Sequence, residues 1–192
     1  MERVEPPDLP RREPYGTLLG SSIVFAVITL LVGTLVVVDD SVSGAEEIPP
    51  GTVLDVGGGV AFVPAAGWFL VPEQVVPGSR TVVASRGSSF RVEGKEWDGT
   101  LAAEVERTRR TVEAGDARIT GDGESFHSAG GLTGTRLAFV TTSGQGRAWV
   151  ALDEPTRRSV IVIAVSPAEV YRQVAPEVDE MLDSVRLAGV GG

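Results

Sequence analysis

Residues 158–187 read RSVIVIAVSPAEVYRQVAPEVDEMLDSVRL, and two signals within them decide the fold class. Val160–Val165 (VIVIAV) is apolar at every position. A strand with one wet face alternates, so one that is apolar throughout is expected to lie centrally in a sheet with both faces covered. Ser166-Pro167-Ala168-Glu169 then combines a capping box with proline at the first helical position. Tyr171, Val174, Val178, Met181, Leu182 and Val185 follow on one apolar stripe, so an amphipathic helix is expected to run to the end of this stretch.

Working outward, strands are expected at 133–142 and 146–152, joined through Ser143-Gly144-Gln145-Gly146, with Asp153-Glu154-Pro155-Thr156 turning into the central strand. Residues 118–120 and 124–128 read as two further short strands. Leu101, Val105, Thr108 and Val112 recur at helical spacing, which predicts a helix begun near Asp98 or Thr100 and stopped at Gly115. Further upstream, 80–85 and 89–93 flank the hairpin turn Arg86-Gly87-Ser88, and 52–55 and 60–64 flank Gly57-Gly58-Gly59. Pro64–Trp68 (PAAGW) reads as a turn that returns an aromatic to the core. Strands and two helices in this order imply an α+β domain, an antiparallel sheet packed against both helices.

The first fifty residues are of another kind. Thr17–Val38 (TLLGSSIVFAVITLLVGTLVVV) holds neither a charge nor a proline. As a helix it would span ~33 Å, matching a hydrocarbon core of ~30 Å. Arg3, Arg11 and Arg12 precede it, Asp39 and Asp40 follow it, and the next basic residue is Arg80. That asymmetry predicts an N-terminus inside and a C-terminal domain outside. The competing reading is a cleaved signal with a small-x-small site at Ser43 and Ala45. The apolar run is longer than a signal core, and Glu13-Pro14 spoils a twin-arginine context at Arg11-Arg12. Gly16-x-x-x-Gly20 and Thr29-x-x-x-Gly33 have the spacing that lets membrane helices approach. The expected organisation is a cytoplasmic tail (1–16), a transmembrane helix (17–38), an acidic linker (39–51), an extracytoplasmic domain (52–187) and a short tail (188–192).

Composition narrows the chemistry. The 192 residues carry a net charge of −9, which argues against nucleic acid and against docking on anionic lipid through a basic patch. Cysteine is absent, which removes disulfides, thiolate nucleophiles and a lipidated cysteine. Asparagine is absent too, and Lys95 is the lone lysine among 17 basic residues, a bias that fits GC-rich bacterial coding. His127 is the single histidine. Ser125, Ser128 and Asp122 are its sequence neighbours, but residues one or two apart on a strand do not converge on one reacting atom. One histidine cannot build the usual zinc sets, and Gly121-Asp122-Gly123-Glu124 lacks the spacing of a calcium loop. Neither Gly57-Gly58-Gly59 nor Gly144-Gln145-Gly146 leads into a helix bearing Lys and Ser or Thr, as a phosphate loop must. The helix arginines Arg107, Arg109 and Arg110 read as a solvated face paired with Glu104, Glu106 and Glu113, the other reading being a surface for an acidic partner. Phe62, Trp68, Phe69, Phe90, Trp97, Phe139 and Trp149 read as core, or else as the lining of an apolar cleft for a lipid-like ligand. No catalytic, cofactor-binding or metal-ligating set is expected.

Three segments carry a family resemblance. Gly59–Trp68 (GVAFVPAAGW) resembles the opening strand and P-x-x-G-W turn of PsbP-like domains found in actinobacterial envelope proteins. Leu132-Thr133-Gly134 leads into the central strands as their G-x-x-G segments do, and Met181–Leu187 (MLDSVRL) is similar to their closing strand. The resemblance covers roughly 52–187. It implies an α/β/α sandwich akin to LpqN/LpqT-type lipoproteins and trehalose-monomycolate transport factors, non-catalytic adaptors of the cell envelope. With no cysteine to lipidate, the apolar helix would replace the lipid. The expectation is a membrane-anchored, protein-binding accessory domain that uses no cofactor and binds an envelope protein. The alternatives are lipid or small-ligand binding in a cleft between sheet and helices, and a hydrolase built on His127 and a serine.

Overall fold

The structure is a computed structural model and describes residues 48–187. The expected tail, transmembrane helix and most of the linker lie outside the described residues, as do residues 188–192. Within them, no helix is long and apolar enough to cross a membrane.

Seven antiparallel strands form the main sheet: β3 (Phe69–Leu70), β4 (Arg80–Ser85), β5 (Ser88–Glu96), β6 (Arg118–His127), β7 (Thr133–Val140), β8 (Gly144–Asp153) and β9 (Arg158–Pro167), in the order β3-β4-β5-β9-β8-β7-β6. A smaller sheet joins β1 (Leu54–Gly57), β2 (Val60–Phe62) and β10 (Arg186–Leu187). The helices are α1 (Leu101–Glu113) and α2 (Tyr171–Ser184). β9 is central, as its unbroken apolar run requires.

Side-chain alternation along β9 sorts the layers. Val160, Val162 and Ala164 point into a core with Val174, Val178, Met181 and Leu182 of α2 and with Val56, Val60 and Phe62 of the small sheet. Ile163 and Val165 point the other way, into a cluster with Leu137, Phe139, Ala148 and Val112 of α1. The helices therefore lie on opposite faces, as an α/β/α sandwich. Each large side chain fully buried in these layers is worth about 1.5–3 kcal/mol. Ile48 also packs in the α2-side core, 8% exposed, with its N–H reaching the Trp68 carbonyl.

Trp68 is fully buried, as its turn predicts, and its Nε1–H donates to Glu177 Oε2 of α2 at 2.8 Å. Helix α1 begins at Thr100, whose side chain accepts from the Ala103 N–H. The capping box at 166–169 is not formed. Ser166 and Pro167 finish β9 by pairing with Gln145 and Gly144, and α2 starts at Tyr171 without a side-chain cap. Sheet pairing outcompetes the local cap, and proline is tolerated at the end of the ladder. Gly144 and Gln145, expected in a turn, are likewise strand residues. The two strands expected at 118–120 and 124–128 are one strand, β6, bulged between Thr120 and Glu124 where Gly121 and Gly123 take positive φ.

Candidate functional site

Strand alternation in β4 and β5 segregates two kinds of residue. Thr81, Val83, Phe90 and Val92 turn toward the α2-side core, so Arg80, Val82, Ala84, Arg91, Glu93 and Lys95 share the α1-side face. Phe69 pairs with Ala84 and joins them. Seven strands at ~4.8 Å make a sheet about 30 Å wide, and one helix of ~10 Å diameter cannot cover it. Helix α1 packs over β8, β7 and β6. Helix α1 makes no extended contact with β3, β4 or β5, and the short 3-10 turn Pro72–Gln74 that follows β3 lies against β4.

This open half is neither apolar nor simply wet. Val82 and Ile161 are buried, Phe69 and Ala84 are half-buried, and Ile163 and Val165, also half-buried, border the α1-side cluster. Across them, Arg80 Nη1 and Arg91 Nη2 share one acceptor, Glu93 Oε1, the first at 3.4 Å and the second in closer contact. The side chains of Arg80, Glu93 and Arg91 are 28%, 21% and 14% exposed. Both Nε atoms are buried, with no hydrogen-bond partner among the described residues. Burial pulls the Arg91 guanidinium below its ordinary range; neighbouring Glu93 opposes that shift and Arg80 adds to it.

One end of the face is closed by an ion pair. Glu104 lies on the buried stripe of α1 and is 0% exposed. Its Oε1 accepts from Lys95 Nζ at 2.6 Å and from Ser159 Oγ at 3.3 Å, while Oε2 has no partner among the described residues. This corrects the expectation that Glu104 pairs with the helix arginines on a solvated face. Glu106 does pair with Arg109 and Arg110, at 3.8 and 3.7 Å. Arg107 lies over the Trp97 ring, 5.6 Å from its centroid, with Lys95 Nζ at 5.3 Å.

The residues weighed for catalysis are not brought together. His127 is exposed near the end of β6, its Nδ1 3.0 Å from Thr133 Oγ1. Ser128 is buried and its Oγ accepts from the Leu132 N–H inside its own turn. Asp122 sits in the β6 bulge, where its backbone carbonyl accepts from Arg109. Gly58 and Gly59 form the two-residue β1–β2 hairpin turn, both at positive φ, a conformation glycine adopts without strain. Among the described residues no group of three or more His, Cys, Asp or Glu could hold a metal ion. The seven aromatics do not gather around a cleft. Phe62, Trp68, Phe90 and Trp149 fill the α2-side core, with the Phe62 and Phe90 rings 5.5 Å apart, whereas Phe139 lies in the α1-side cluster.

Sequence reasoning passed over the Arg80–Glu93–Arg91 set, although the alternation that places all three on one face was legible. No family model matches the chain, and no curated protein matches it. Among solved structures, CyanoP from Synechocystis sp. PCC 6803 superposes with a TM-score of 0.50 at 18% identity, over 76% of this chain and 98% of that one. The chain has a PsbP-like fold. The Ran-binding protein Mog1p of Saccharomyces cerevisiae matches at a TM-score of 0.45 and 13% identity, over 76% of this chain and 97% of that one. LpqN of Mycobacterium tuberculosis, involved in cell envelope biogenesis, matches at 0.34 and 11%, over 79% and 95%. The sandwich expected from the family resemblance is the one observed, and these identities speak to the fold alone.

Proposed function

We propose that the chain is a non-catalytic, protein-binding accessory domain of the bacterial cell envelope, held outside the plasma membrane by the apolar segment Thr17–Val38. The observation that carries this reading is the open half of the α1-side sheet face, where paired charges and half-buried apolar side chains lie together. Interfaces use that mixture: apolar and aromatic contacts for affinity, charges for orientation. The charge asymmetry around residues 17–38 and the resemblance at 59–68, 132–134 and 181–187 support the same reading.

The test places a photo-crosslinking side chain at Ala84, on the open face, and at Asp98, a fully exposed site away from it. Each full chain is expressed in an actinobacterial host, and its membranes are carbonate-washed before analysis. The expected result is that the chain stays with the membrane and that Ala84, not Asp98, yields one defined protein adduct. Recovery in the carbonate supernatant, or no adduct at Ala84, would refute it.

A further inference from the structure

The open face has the width of one more helix. Helix α1 occupies one berth on this side of the sheet, and the remaining strip, about 10 Å across β4 and β5 and wider where the two-residue β3 joins, accepts a helix of ~10–12 Å diameter. The charges in that berth are unbalanced. Two guanidinium groups, with five N–H donors each, share the single oxygen Glu93 Oε1, and both Nε–H groups are buried with no acceptor among the described residues. Arg136, Arg147 and Arg157 each have a carboxylate to themselves, and the other arginines that share one, Arg109 and Arg110, do so at Glu106, whose side chain is 56% exposed. Beside the surplus donors lie Phe69 and Ala84, both half-buried.

Resting on the adaptor reading, we infer that the berth receives an amphipathic helix of a partner protein whose apolar stripe is flanked by carboxylates. The stripe covers Phe69 and Ala84, and a carboxylate takes Nη–H donors left over on Arg80 and Arg91. Arginine suits this role because its planar fork binds a carboxylate through two parallel hydrogen bonds. Residues 48–187 carry 18 Asp and Glu against 14 Lys and Arg, a net charge of −4, so the rest of the domain offers an acidic helix little attraction and the arginine pair fixes where it lands.

The test uses the full chain in nanodiscs of zwitterionic lipid, with empty nanodiscs as the blank. One probe is a synthetic peptide of about 18 residues with a leucine stripe flanked by glutamates; its counterpart carries lysine for each glutamate. Binding is read by fluorescence anisotropy at low salt, and the Arg Nε–H signals by nitrogen-15 NMR. The glutamate peptide is expected to bind at least tenfold more tightly than the lysine peptide and to shift the Arg80 and Arg91 Nε–H signals. Arg80→Gln, at the rim, is expected to remove most of that preference without altering the fold, and Arg91→Gln to do the same where it folds. Equal binding of the two peptides, no binding of either, or a preference that survives Arg80→Gln overturns the inference. If the Ala84 crosslink still forms in that case, the adaptor reading stands and only the acidic helix falls; if the crosslink is absent too, both fall.

Discussion

Removing the Lys95 ammonium should cost more stability than removing the charge of its partner. Glu104 is 0% exposed and its carboxylate has two neighbours, Lys95 Nζ at 2.6 Å and Ser159 Oγ at 3.3 Å. Lys95→Met keeps the stem but leaves a buried charge held by one hydroxyl. Breaking a buried pair in this way costs about 3–5 kcal/mol. The Lys95 side chain is 29% exposed, so solvent screens part of the pair and the lower end, about 3 kcal/mol, is expected. At ~2 cal/mol/K per residue over the described domain, that lowers the melting temperature by about 10 °C. Glu104→Gln leaves an ammonium that can turn to water, so its cost is only about 1 kcal/mol. Lys95→Met combined with Glu104→Leu removes both charges and should recover most of the loss, because apolar replacement of a buried pair is often neutral. Thermal and urea unfolding of the four proteins, followed by far-ultraviolet circular dichroism, gives the comparison. A Lys95→Met protein no less stable than Glu104→Gln, or a double variant as weak as Lys95→Met, would refute the reasoning.

Two further outcomes follow from local geometry. Gly57 has φ +105°, and a Cβ there would lie 2.3 Å from the Gly78 backbone, so Gly57→Ala should lose about 2–3 kcal/mol in urea unfolding. Gly67, at φ +75° with open space around it, should lose only about 1 kcal/mol on the same change; equal losses would show that the Gly78 contact is immaterial. His127 is exposed and, among the described residues, its ring bonds to Thr133 alone, so His127→Ala should shift stability by less than about 0.5 kcal/mol, and a larger loss would mean that the histidine has a structural role.

Elements that carry their own local signal were legible in the sequence. Val160–Val165 announced a central strand, Thr100 and Gly115 bounded α1, and the aromatic after Pro64-Ala65-Ala66-Gly67 returned to the core. Elements created by distant partners were not. β3 and β10 are two residues long and exist because β4 and β2 pair with them. Ser166 and Pro167 satisfy every local rule for a helix start, yet β8 claims both. Glu104 was misplaced for a related reason: charge suggested solvent, whereas its spacing from Leu101 and Thr108 put it on the buried stripe, and only Lys95, on a strand across the sheet face, makes that burial tolerable.

The charged berth also follows from how such a domain would be held. In the proposed arrangement nine residues, 39–47, join the span to Ile48, a tether whose extended reach is about 30 Å. A partner in the same membrane then meets the domain at an effective concentration that reaches millimolar for short linkers. Weak contact suffices under that condition, and a large apolar interface would add little while exposing a patch prone to aggregation. In that arrangement a tethered adaptor would need discrimination among close neighbours, and half-buried arginines that share one carboxylate would supply it: a helix without a carboxylate would leave Arg80 and Arg91 with Glu93 alone and bind more weakly, however near it is held.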